Sequence, residues 1–111
     1  MFNMFDMMGK VKDLQARVAE AKARLAQTTH TAEAGAGLVK VTVTGAKLVQ
    51  KITIDQTIIK PEDAELLADL IVAATNKALN EIDVIAKAEI KKSTEGIIPN
   101  IPGLDLFNGL M

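Results

Sequence analysis

The chain has 111 residues and no cysteine, tryptophan or tyrosine. Without cysteine there are no disulfides, thiolate metal sites or cysteine nucleophiles, and the sequence suits a reducing compartment. Aromatic residues are confined to Phe2, Phe5 and Phe107. Proteins that bind RNA or single strands stack bases on aromatic platforms. Their near absence restricts any nucleic-acid binding to duplex phosphates, contacted through Lys and Arg with little base readout. The single histidine, His30, lies in a threonine-rich stretch. It makes no zinc constellation and reads as an ordinary surface or edge-strand residue. Charge of one sign is also lacking: 13 basic and 14 acidic residues leave a net −1. Attraction to DNA or membrane must then come from local clustering. The longest apolar run, Leu70 to Ala74, is far too short to span a bilayer. Met1 to Met8 lacks the basic start and apolar core of a signal peptide. The expectation is a cytoplasmic protein with no membrane partner.

Apolar residues make up 49% of the chain, enough for one packed domain over residues 1–111. From about Met4 to Gln27, the apolar positions Met4, Met7, Val11, Leu14, Val18, Ala21 and Leu25 alternate three and four apart. That heptad seam predicts a long helix packed along one narrow stripe, with Gly9 its weak point. Lys10, Arg17 and Arg24 recur every seven residues beside the seam, each preceded four residues earlier by Asp6, Asp13 or Glu20. Lys12 and Lys22 have no such preceding acid, so the segment carries five bases against three acids.

The period then changes. Val39, Val41 and Val43 alternate with Lys40, Thr42 and Thr44, which predicts a half-buried strand over Leu38 to Thr44. Gly45-Ala46 marks a tight turn. Lys47 to Asp55 reads as the next strand, with Leu48, Gln50, Ile52 and Ile54 on one face. Thr28 to Glu33 fits a short edge strand, followed by a bend at Gly35-Ala36-Gly37. Pro61, Glu62, Asp63 and Glu65 suit a helix start. Leu67, Leu70, Ile71, Ala74, Ala78, Ile82 and Ile85 give that helix a broad apolar face, and Lys91, Lys92 and Gly96 suit its end. Ile97 to Met111 forms an apolar tail containing Pro99, Pro102, Gly103 and Gly109.

Chemical machinery is absent from this pattern. Gly35-Ala36-Gly37 lacks the Gly-Lys-Ser/Thr of a phosphate loop. Glu62, Asp63 and Glu65 are explained as acids at a helix N-terminus. No Ser or Thr has a credible base beside it. The expectation is a protein that is not an enzyme, with no metal and no cofactor.

The fold class expected is α+β: a long helix, a small antiparallel sheet of two or three strands and a second long helix (α-β-β-β-α). Helices of ~24 and ~32 residues span about 36 and 48 Å, whereas strands of ~7 residues cover about 23 Å. The helix ends must project beyond the sheet, and a second copy is the simplest cover for exposed strand edges and apolar stripes.

Three stretches in this order resemble the YbaB/EbfC family: Gly35 to Gly45 (GAGLVKVTVTG), Ile52 to Asp55 (ITID), and Leu67 to Ala78 (LADLIVAATNKA). The resemblance implies a dimer formed through the sheet region, with helices projecting like the arms of tweezers. It also implies DNA binding in the bacterial nucleoid through those helices, with no catalysis or cofactor.

The local positive excess on projecting helices marks Lys10, Lys12, Arg17, Lys22 and Arg24 as candidate phosphate contacts, with Lys87, Lys91 and Lys92 from the end of the last helix. The partners expected are double-stranded DNA and a second copy of the chain, with an unidentified protein as a further possibility. Two alternatives stand beside this reading. The bases merely pair with their neighbouring acids on a solvated face, or the chain is a non-enzymatic scaffold whose apolar ends, Met1 to Met8 and Ile97 to Met111, hold another protein.

Overall fold

Three valines set the centre of the fold. The structure, a computed structural model, describes residues 4–95. Helix α1 (Met4–Gln27) leads into strands β1 (Thr29–Ala34), β2 (Val39–Thr44) and β3 (Val49–Ile54), and helix α2 (Ala64–Ser93) comes last. Two 3-10 turns, Gln56–Ile58 and Pro61–Asp63, join β3 to α2. The strands form one antiparallel sheet in the order β1-β2-β3. The α+β order expected from the sequence is the order found, and the threonine-rich segment is the edge strand β1.

Val39, Val41 and Val43 of β2 are fully buried. Their partners are Ala32 of β1, Ile58, and Ala74, Ala78 and Ile82 of α2. Alternation puts all three valines on one sheet face. The two alanines let α2 lie close to it, and each buried valine contributes about 1.5–3 kcal/mol of hydrophobic stabilisation. The β1–β2 turn runs through Gly35, Ala36 and Gly37, all with positive φ (64°, 55° and 90°). Glycine adopts this backbone without the steric penalty of a Cβ. At Gly35 a Cβ would also press on the Leu70 side chain of α2.

Helix α2 packs on β1 and β2 and leaves β3 largely exposed. This corrects the expected face of β3. A bulge between Thr42 and Val43 leaves Gln50 without an opposite residue, so that Val43 pairs with Val49, Val41 with Ile52 and Val39 with Ile54. Directly opposed residues share a face. The apolar set is therefore Val49, Ile52 and Ile54, not Leu48, Gln50, Ile52 and Ile54, because the extra residue reverses the alternation.

A second correction concerns Ile85, which is exposed rather than part of the sheet-facing stripe. The cause is length: a 30-residue helix outruns six-residue strands. Past the sheet, the same i, i+4 row of α2 that holds Ala74, Ala78 and Ile82 continues through Ala86 and Ile90 and meets α1. Ala21, Leu25 and Ile90 are buried there, flanked by Val18 and Ala86. The two helices run antiparallel. The end of α1 at Leu25 lies against Gly45, whose turn reaches Asp83 through Lys47, whereas Arg17 lies across from Ser93. The first half of α1 extends past the end of α2, and Met7, Met8 and Val11 are exposed. Gly96 and the apolar tail lie outside the described residues.

Candidate nucleic-acid interface

The heptad that builds α1 also sorts its charges. At 3.6 residues per turn, Lys10, Arg17 and Arg24 fall on one flank of the seam, about 10 Å apart along the axis. Lys22 falls on the opposite flank, and Lys12 points further from the seam. Lys10, Lys12, Arg17, Lys22 and Arg24 are all exposed. With Asp6, Asp13 and Glu20 on the same helix, α1 has a net positive balance.

Arg24 does more than sit on a surface. Its Nη2 donates to Glu89 Oε1 at 3.1 Å and to Ser93 Oγ at 2.8 Å, tying α1 to α2. The expected local pairing with Glu20 is replaced by this contact between helices. An open cleft of about 370 Å³ lies alongside, lined by Arg17, Glu20, Arg24 and Ser93. Arg17 and Arg24 thus meet at the helix junction.

The lysines of α2 are placed differently. Lys87 Nζ donates to Asp83 Oδ2 at 3.0 Å one turn back, and Lys47 Nζ donates to Asp83 Oδ1 at 3.2 Å. These two lysines, Lys87 first, hold the Asp83 carboxyl below the usual carboxylate range. Lys91 and Lys92 occupy the last turn of α2 and are exposed. Ala86 and Ile90 face α1, so Lys87 and Lys91, each one residue further on, turn about 100° away from it. The structure brings Arg17 and Arg24 together but does not gather the α2 lysines into the same patch.

Sequence reasoning missed the cross-element pairs. His30 Nε2 lies 3.0 Å from Glu81 Oε1, linking β1 to α2. The Lys47–Asp83 contact ties the β2–β3 turn to the same helix. Neither pair has a sequence signal, since both join residues far apart in the chain. Lys40 and Lys51 are exposed on β2 and β3. Their alternation with the buried valines places them on the sheet face opposite α2. Among the described residues, no group of three or more His, Cys, Asp or Glu side chains is placed to hold a metal. No helix among them is long and apolar enough to cross a membrane.

Comparison with known proteins places this architecture. Residues 1–97 match the family model described as the YbaB/EbfC DNA-binding family. A nucleoid-associated protein of Agathobacter rectalis is 40% identical over 95 residues, covering 86% of this chain and 84% of that protein. A nucleoid-associated protein of Syntrophobacter fumaroxidans is 41% identical over 102 residues, covering 92% and 91%. Among solved structures, an uncharacterized Helicobacter pylori protein superposes with a TM-score of 0.71 at 19% identity, over 79% of this chain and 92% of its own. That last likeness concerns the fold alone. The three segments noted in the sequence, the order of elements and the match over most of the chain agree: this chain belongs to the YbaB/EbfC DNA-binding family.

Proposed function

We propose that the chain is a nucleoid-associated protein, without catalytic activity, that binds duplex DNA as a homodimer. Its contacts are mainly to phosphates and weakly specific for sequence. The observation that carries this reading is the basic excess of α1, with Lys10, Arg17 and Arg24 in one line on one flank and Lys12 and Lys22 on the other side of the helix, which extends past the end of α2. Lys91 and Lys92 add positive charge near the helix junction.

The uncovered side of β3 supports the dimer. Val49 and Ile52 lie on the same sheet face as the buried valines yet remain exposed in the single chain. An apolar sheet face and a bare strand edge are costly to leave in water. A second copy covers both by two-fold symmetry and doubles the number of basic helices. The relatives' name, nucleoid-associated protein, agrees with this reading.

The test is binding to duplex DNA of several sequences over a range of salt, with a single-stranded control. The proposal expects duplex affinity that falls steeply with salt and varies little with sequence. Affinity insensitive to salt, or a preference for single strands, contradicts it.

A further inference from the structure

The last turn of α2 leaves one hydroxyl uncommitted beside two arginines. Thr94 caps the helix. Its amide donates to the Ile90 carbonyl at 3.1 Å and the Lys91 carbonyl at 3.3 Å, and its hydroxyl donates to the same two. The Glu95 amide donates to the Lys92 carbonyl. These carbonyls are thus satisfied, which blunts the negative end of the helix. Ser93 takes no part in the cap. Among the described residues its Oγ accepts from Arg24 Nη2 at 2.8 Å and donates to nothing. A serine hydroxyl carries one donor hydrogen besides its lone pairs, so that hydrogen is still available.

Ser93 opens onto the cleft of about 370 Å³ whose other walls are Arg17, Glu20 and Arg24. Arg17 is exposed, and among the described residues its side chain forms no ion pair or hydrogen bond. That holds although Asp13 and Glu20 lie within helical reach of it. Arg24 gives Nη2 to Glu89 and Ser93, which leaves Nε and Nη1 as donors. Donors from both helices therefore converge on one opening. The charge there is small: two guanidiniums face the Glu20 carboxylate, and Arg24 is already shared with Glu89. An excess of at most one positive charge suits a singly charged phosphodiester better than a doubly charged free phosphate.

We propose that this cleft seats one backbone phosphate of duplex DNA, with Arg17 donating from α1 and Ser93 from α2. Arg24 positions Ser93 and adds a donor of its own, and Glu20 is the rival anion that holds the affinity down. The inference rests on the DNA-binding reading above and gives it a defined phosphate site, including a neutral contact that the basic residues do not supply. A phosphate held there bridges the two helices at their junction.

Ser93 separates this site from general electrostatic attraction, because a neutral hydroxyl releases no counterion. In the full chain, Ser93→Ala should weaken duplex binding roughly tenfold, while the slope of log affinity against log salt stays at the parent's value. Ser93→Thr should restore most of the affinity, and Glu20→Gln should raise it above the parent's. The melting temperature of Ser93→Ala should stay near the parent's, since the bond to Arg24 is exposed. Inorganic phosphate at matched ionic strength should displace the duplex no better than chloride. Duplex binding by Ser93→Ala equal to the parent's overturns the cleft and leaves the DNA-binding reading intact, whereas a parent that does not bind duplex overturns both. A loss of affinity that Ser93→Thr fails to restore, or that comes with an equal loss of stability, makes Ser93 a structural prop and overturns the proposal. Selective displacement by inorganic phosphate overturns the assignment to DNA.

Discussion

Val41 and Ile52 are paired across β2 and β3 and share one face of the sheet, yet Val41 is fully buried and Ile52 is 42% exposed. Helix α2 lies over the first and stops short of the second. The proposed dimer accounts for the contrast, and the two residues should respond differently to substitution. Val41→Ala should cost about 2 kcal/mol at any protein concentration, since it hollows the core of each chain. Ile52→Asp should leave the chain folded but shift its mass in light scattering from twice 11.9 kDa toward 11.9 kDa. A variant that keeps the parent's mass and melting temperature places the interface elsewhere.

Two glycines should respond oppositely to alanine. Gly9 lies in the exposed part of α1, and a Cβ there meets nothing. Gly9→Ala should stabilise the helix by roughly 0.5–1 kcal/mol. At Gly45 a Cβ collides with the carbonyl and side chain of Leu25, and the Gly45 amide donates to the Thr28 carbonyl at 2.9 Å. Gly45→Ala should destabilise by roughly 1–3 kcal/mol, as overpacking does. Denaturant midpoints of the two variants check both signs; a tolerated Gly45→Ala argues against the close seat of α1 on the β2–β3 turn.

Much of the fold was legible in the residues. The seam from Met4 to Leu25 fixed α1 to within a residue because a three-four alternation admits few other structures. Val39, Val41 and Val43 announced β2 in the same way. The bulge at Gln50 was not legible, since a single extra residue leaves no compositional mark and reverses every side chain beyond it. Ile85 was misplaced because periodicity shows which positions share a face, not where the neighbouring sheet ends. In the candidate interface, the basic flank of α1 could be read from its seven-residue spacing. The Arg24–Glu89 and Lys47–Asp83 contacts could not, because they depend on how α1 and the β2–β3 turn meet α2.

Asp83 should link stability to acid pH. Lys87 and Lys47 stabilise its charged form, so its folded-state pKa lies below the ordinary 3.8. A group with a depressed pKa contributes stability above its unfolded value, and that stability is lost as pH falls through the folded value. The unmutated protein should therefore exceed Asp83→Asn in denaturant midpoint at pH 6, and the gap should close as pH drops below about 3.8. A gap that persists at pH 2.5 means the two lysines contribute nothing through charge.

The central claim is that the α1 basic residues contact DNA phosphates, and reversal of Arg17 and Lys22 tests it most directly. Arg24 is less suitable, because its bonds to Glu89 and Ser93 also hold α1 to α2. If the dimer neutralises about 8 phosphates, log affinity should fall with log salt at a slope near −7. Arg17→Glu with Lys22→Glu removes about four contacts per dimer. The slope should then shrink by roughly 3–4 and affinity should drop alike for all duplex sequences, with little change in melting temperature because both residues are exposed. A folded double variant that binds duplex DNA with the parent's affinity and salt slope contradicts the claim.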